Sequence, residues 1–401
     1  MSINKYPLNG ETPLASPFRE QLVASTESKL NIKPTWGIST LRDSVLASGT
    51  GAGAVEENGL LKLSTGVDVG GVVVMQTRQR GQYQAGTQGQ AGVALRLNSL
   101  PSGTQDVRWG YMDNHNGVGF GMDAAGLYTF VRKKADTQKT YQPDWNITPT
   151  VPIAATSGNI YHIDFTWYGY GDIVYRALTA SGENVRHQLV DLHRFLPEDS
   201  ASVEDPNLPI CIEAYNGDGA ASGNIDLFCG GRQFSVITGD SVPQTRPFSQ
   251  SIIEHVISSG TNEWEPLMTI TPKVTFGPSD RLNSVLVNIT AFELRTNQDV
   301  QARLTYSSDP SYGGGFATPE GITVNETAME IKSTANVLYG APSGLLIGEV
   351  LVEGAGNKAE STIQREGRIP LEPGLEATLW VRKHAATSTT VSAVVRWEEQ
   401  W

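Results

Sequence analysis

The sequence predicts an all-β protein, two β-sandwich domains of jelly-roll type preceded by an extended N-terminal arm. Three observations carry this. The 401 residues include 42 glycines and 21 prolines but only 18% charged residues, a composition that suits many short strands joined by turns. No long stretch shows the apolar period of an amphipathic helix. Apolar side chains instead recur every second residue in short runs bounded by Gly, Pro, Asn and Asp, as half-buried strands require.

Residues 1–48 read as the arm: Pro, Ser, Thr and Asn are scattered through them with little apolar period. One short helix is expected at 17–30, with Ser16 as cap, Pro17 at the first helical position and Phe18, Leu22 and Val23 on one side. Such a segment cannot offset its own ordering entropy, so a neighbouring subunit is the expected surface for it.

The first sandwich spans 49–242. Its strands are expected at 60–64, 67–76, 93–98, 107–113, 118–123, 127–132, 160–167, 173–179, 186–191, 209–215, 224–229 and 232–237. The clearest is the meander from Asp106. Val107, Trp109 and Tyr111 alternate with small or polar residues, as do Val118, Phe120 and Met122. The turn Asp113-Asn-His-Asn-Gly117 lies between, with Asn-Gly placed to take φ > 0. A second turn at 124–126 leads into Leu127–Val131. Residues 240–249 read as a linker, and the second sandwich spans 243–401 in seven or eight strands: 266–273, 284–294, 300–306, 328–333, 345–353, 375–382 and 390–397. The Gly-, Pro- and Ser-rich stretch 307–321 reads as a long exposed loop.

Arg108-Trp-Gly-Tyr111, the polar turn, Gly119-Phe-Gly-Met-Asp123, Gly126-Leu-Tyr128 and Trp145-Asn146 together resemble virion structural proteins of tailed bacteriophages, especially those infecting marine cyanobacteria. The resemblance covers about 70–167 and is looser elsewhere. It implies a class of virion protein, made in a host cytoplasm and residing in the particle. Within that class an arm with compact sandwiches suits a capsid decoration or cement protein, an oligomer that binds the major capsid protein or other virion subunits and stabilises the assembled shell by association. A tail, baseplate or fibre adaptor, or a receptor-binding protein, is the alternative. No heptad, Gly-X-Y or longer repeat marks a fibre shaft.

Chemistry is sparsely signalled. The net charge is −12 with 30 basic residues, nowhere concentrated, which argues against direct nucleic-acid contact. No secretory signal follows Met1, and no apolar run of about 20 residues marks a membrane span. The six histidines, His115, His162, His187, His193, His255 and His384, form no metal-ligand spacing, although His187 and His193 flank Asp191. No metal or cofactor is expected. The Asp113–Gly117 turn lacks the spacing of a calcium loop, and its Asx side chains are expected to bond their own backbone. Cys211 and Cys229 are expected as buried apolar groups, with a disulfide as the alternative.

A carbohydrate-binding module or polysaccharide depolymerase is the reading from another class. Asp113, Asp123, Asp164 and Asp172 fall near aromatic residues, but a glycosidase needs two carboxyls across a cleft, and nothing in the spacing singles out such a pair. Trp109 and Trp167 are expected in the core. Tyr168 and Tyr170, at a turn, are the candidate glycan or partner contacts. Arg78 and Arg80, in a basic-amide run, are the candidate contacts to an acidic neighbour. No catalytic residue is assigned.

Overall fold

The computed structural model describes residues 25–149, 153–179, 188–219, 223–238, 245–277, 281–307, 316–323, 326–333, 342, 344–352, 359–384 and 386–400. Among them there is no α-helix, only strands and two short 3-10 turns, Pro34–Trp36 and Gln142–Asp144. The chain divides into two units, Met1–Val242 and Pro243–Trp401.

The first unit holds β1 (Ser25–Ile32), β2 (Asp43–Ser48), β3 (Ala52–Glu57), β4 (Leu60–Thr65), β5 (Val72–Thr77), β6 (Gln88–Leu97), β7 (Asp106–Met112), β8 (Gly117–Asp123), β9 (Gly126–Lys133), β10 (Asp136–Tyr141), β11 (Asn159–Phe165), β12 (Ile173–Thr179), β13 (Gln188–Phe195), β14 (Ile210–Tyr215) and β15 (Asp226–Thr238). An eight-stranded antiparallel sheet runs β13-β12-β11-β6-β15-β4-β3, with β1 also on β15. A seven-stranded sheet runs β10-β9-β8-β7-β14-β5-β2. Each sheet is apolar on one face because its side chains alternate. From the seven-stranded sheet Trp109, Tyr111 and Phe120 point inward, and from the other Tyr161, Phe165, Tyr175 and Phe234 meet them, all essentially buried. The rings interlock: Trp109 stands edge-on to Tyr161 at 4.9 Å, and Tyr111 stacks on Phe234 at 4.9 Å. Such ring pairs add stabilisation beyond the area they bury.

The second unit holds β16 (Thr245–Val256), β17 (Trp264–Pro272), β18 (Leu286–Thr296), β19 (Val300–Ser307), β20 (Met329–Ser333), β21 (Leu345–Val352), β22 (Ala359–Leu371), β23 (Glu376–Lys383) and β24 (Thr390–Gln400). They form a sheet β16-β24-β18-β22 and a sheet β20-β17-β23-β19-β21 over a core of Leu267, Ile270, Phe292, Leu379 and Trp397. Nine strands are described, against the seven or eight expected. β16 takes in residues read as linker, because Phe248 stacks on Trp397 at 5.7 Å. β22 carries no apolar alternation and was not foreseen.

Several expectations need correction. The arm was expected to run to residue 48, yet β1 and β2 are strands of the first sandwich. The part of the expected helix at 25–30 is strand; residues 17–24 lie outside those described. Long β15 explains this: its first half pairs with β4 and its second half leaves an edge that β1 fills, while Leu30 and Ile32 enter the core. Tertiary pairing overrides a local helix signal. The run 67–76 becomes strand only from Val72, since Asp68 accepts the Thr50 N–H at 2.6 Å and holds a turn. The two strands expected at 224–237 are one strand, with a bulge between Cys229 and Arg232. In the 113–117 turn neither Asn116 nor Gly117 has φ > 0. The Asp113 carboxylate instead accepts the His115 and Asn116 N–H groups, both at 2.8 Å.

One buried ion pair fastens β2 to the opposite sheet. Arg232 on β15 and Asp43 on β2 meet at 2.7 Å with side chains 1% and 0% exposed. Removing one partner of such a pair strands a buried charge, at about 3–5 kcal/mol. Asp43→Ala is therefore expected to lower the denaturant-unfolding free energy of the first unit by about that amount, and Asp43→Leu with Arg232→Met to recover much of it. An unchanged midpoint in Asp43→Ala would show that the pair does not hold this edge.

Candidate functional site

The same alternation that buries Trp109 and Phe120 turns every other residue of the seven-stranded sheet outward. β7 presents Asp106, Arg108, Gly110 and Met112, and β8 presents Gly117, Gly119, Gly121 and Asp123. β9 presents Tyr128, Phe130 and Arg132, β10 presents Lys139 and Tyr141, and β14 presents Cys211 and Glu213. The pairing Tyr141–Tyr128–Gly121–Arg108–Glu213 runs straight across five strands.

The glycines of β8 shape this face. A Cβ on Gly121 would sit 2.2 Å from the Tyr128 ring, and one on Gly119 2.8 Å from the Phe130 ring. Without side chains there, the β9 rings lie across β8. The Tyr128 hydroxyl thereby reaches β7 and donates to Asp106 at 2.5 Å. Met112, Tyr128, Phe130 and Cys211 form a small apolar cluster of their own beside it.

Around that ring lies a lattice of three carboxylates and three cations. Arg108 bridges Asp106 at 2.7 Å and Glu213 at 3.1 Å. Arg132 pairs with Glu213 at 2.5 Å. Lys139 links Asp106 at 3.1 Å to Asp123 at 2.8 Å, with its ammonium 4.2 Å from the Tyr128 ring centroid. Tyr141 donates to Asp123 at 2.9 Å. Burial disfavours the charged form of Asp123, but the hydrogen bonds from Lys139 and Tyr141 and the Lys139 charge outweigh it and hold the carboxyl below its usual range. Burial, reinforced by Asp123, pushes the Tyr141 phenol up to about 12. Asp123 is therefore an anion and Tyr141 a neutral donor at neutral pH.

The expected site residues are placed elsewhere. Tyr168 and Tyr170 sit in the β11–β12 turn, 44% and 61% exposed. Arg80 pairs with Asp113 and donates to the Asn207 carbonyl, both at 3.0 Å, and Arg78 donates to the Thr40 carbonyl; both guanidinium groups brace loops of the first unit. Asp113, Asp123, Asp164 and Asp172 are not brought together. Asp113 caps its turn, and Asp164 is buried on the eight-stranded sheet, where Gln90 donates to it at 2.9 Å and Arg176 pairs with it. Asp172 bonds Thr166 at 3.2 Å. His162 lies on that sheet beside Asp164, its pKa lowered by burial. His187 lies outside the described residues. Cys211 and Cys229 are both free and buried. Trp109 is core and Trp167 packs against it. Among the described residues no His, Cys, Asp and Glu group could hold a metal.

No family model and no curated protein matches the chain. Solved structures with a similar outline include the CBM2 module of the evolved Dit of Lactobacillus casei BL23 phage J-1, at 10% identity and TM-score 0.34 over 55% of this chain and 99% of that one. A legume lectin-like domain from Entamoeba histolytica has 11% identity and TM-score 0.30, over 48% and 89%. Peanut lectin has 10% and 0.31, over 54% and 100%. Likeness at this level carries no conclusion about function.

Two outcomes follow from the lattice. Gly121→Ala is expected to push Tyr128 off Asp106 and to destabilise the first unit by about 1–3 kcal/mol, as overpacking does, read as a lower melting temperature. The depressed Asp123 pKa contributes stability that is full above the unfolded carboxyl value and is lost as pH falls through the lower folded value. Asp123→Asn should accordingly flatten the acid limb of a stability-against-pH curve. A limb as steep as in the unsubstituted protein would count against Asp123 as a contributor.

Proposed function

We propose that the chain is a non-enzymatic virion protein of tailed-phage type whose first sandwich adheres to saccharide through the partly exposed charged side chains on the outward face of its seven-stranded sheet. The observation that carries this is the Asp106–Arg108–Glu213–Arg132–Lys139–Asp123 lattice around the buried Tyr128 ring, with Tyr141 at its edge. Sugar hydroxyls both donate and accept, so a surface reading them needs fixed carboxylates and fixed cations side by side. Here each holds its neighbour in place, which lowers the ordering cost on binding. The lattice sums to zero charge, three anions against three cations, which suits a neutral saccharide. Asp123, held as an anion, is a hydrogen-bond acceptor and not a general acid, so binding rather than glycoside cleavage is the reading adopted. The virion assignment is supported by the resemblance of 70–167. Shell cementing is not preferred, because it relied on a free arm through residue 48, and β1 and β2 are folded into the sandwich.

The test is an array of bacterial surface saccharides probed with the full chain, alongside a reducing-sugar assay and immunogold labelling of particles. The expected result is binding to a neutral saccharide without release of reducing ends, weakened more than about tenfold in Arg108→Ala, since a lost charged hydrogen bond costs about 1.5–3 kcal/mol. Absence of binding to every saccharide, or turnover of one, would overturn the reading.

A further inference from the structure

The second unit carries a cleft of about 340 Å3 lined by β16 residues from Gln250 to His255, by Met268 and Ile331, and by the segment 317–320. We propose that this cleft is a docking site for an extended peptide that adds to the edge of β16 and inserts one aliphatic side chain between the two sheets.

β16 and β20 are each the terminal strand of their sheet, and residues of both line the cleft. An edge strand offers unpaired N–H and C=O groups to an incoming chain unless it is blunted. Among the described residues β16 is blunted at two places. Pro247 removes a donor near its start. A bulge between Ile252 and His255, with Glu254 at φ 52°, interrupts it near its end. Residues 248–252, between the two, stay regular, and they are the stretch that borders the cleft. Its floor is aliphatic: Met268 and Ile331 are buried core residues and Ile252 packs against them. Across the opening, Ala317 pairs with Ile331 by two backbone hydrogen bonds of 2.9 and 2.8 Å, and the Glu320 N–H donates to the Gln250 side chain at 2.9 Å. The far wall is thereby fixed to both edges.

Charge gives the flanking chemistry. His255 is already paired with Glu265 at 2.7 Å. Exposed Glu320 has no ion-pair partner among the described residues, which favours Lys or Arg next to the aliphatic anchor. The occupant is thus a strand-forming peptide with Leu, Ile or Met at its centre and a basic residue beside it.

The probe is a set of eight-residue Thr-rich synthetic peptides with Leu, Ala or Asp at the centre and Lys or Glu beside it, measured against the full chain by fluorescence anisotropy. The Leu–Lys peptide is expected to bind at least about tenfold tighter than its Ala counterpart, the order for burying one aliphatic side chain. Ser251→Trp, at an exposed rim position, should abolish this, and Thr318→Trp does the same from the opposite wall should the first variant misfold. Glu320→Lys should reverse the preference for Lys over Glu. Affinity independent of the central residue, or unchanged by both Trp variants, would overturn the proposal. So would a saccharide that competes for the cleft in place of peptide. The saccharide reading of the first unit stands or falls separately.

Discussion

Interlocking of aromatic rings between the two sheets of the first unit sets the register of everything outside it. Trp109 and Phe120 are neighbours on β7 and β8, and both pack on Tyr161 of the opposite sheet. Phe120 also meets Tyr175 edge-on at 5.5 Å. A strand shifted by one residue would turn these rings to solvent and bring charges inward. Because the rings forbid that shift, Asp106, Arg108 and Glu213 are fixed on the outward face with the spacing that lets one guanidinium hold two carboxylates. The polar lattice is a consequence of the core.

Glycine makes the second contribution. Fixing strand register does not by itself bring Tyr128 to Asp106, which lie on strands separated by β8. The strip Gly117, Gly119 and Gly121 leaves β8 low enough for β9 side chains to lean across it. Desolvation and the nearby Asp106 charge then raise the Tyr128 phenol well above its ordinary value, so it stays a neutral donor. In sequence the same glycines look like strand weakeners; in the fold they are space for rings.

Much of the sandwich was legible in the chain. Strands 173–179 and 210–215 and the meander from Asp106 follow directly from period-two alternation, which is strong wherever one face is core and the other polar. What escaped had other causes. β1 and β2 are edge strands, whose few buried positions leave little pattern, and a plausible helix cap at Ser16 and Pro17 pointed elsewhere. β3, β10 and β22 lie at sheet edges. Of the candidate contacts, Tyr168 and Tyr170 were identified as exposed turn residues, but the lattice was missed. Its signal was present in the polar partners of the alternation: Asp106 and Arg108 on either side of Val107 on β7, and Lys139 and Tyr141 at the same spacing on β10. Single charges in a strand read as solvated; only the pairing order of β10, β9, β8, β7 and β14 gathers them.

Carbene footprinting of the full chain with and without a saccharide that it retains would test the central claim most directly. The account predicts loss of labelling at Lys139 and Tyr141, the members of the lattice on the terminal strand β10, with Tyr168 and Tyr170 unchanged. Protection confined to the β11–β12 turn, or falling on the eight-stranded sheet, would contradict it.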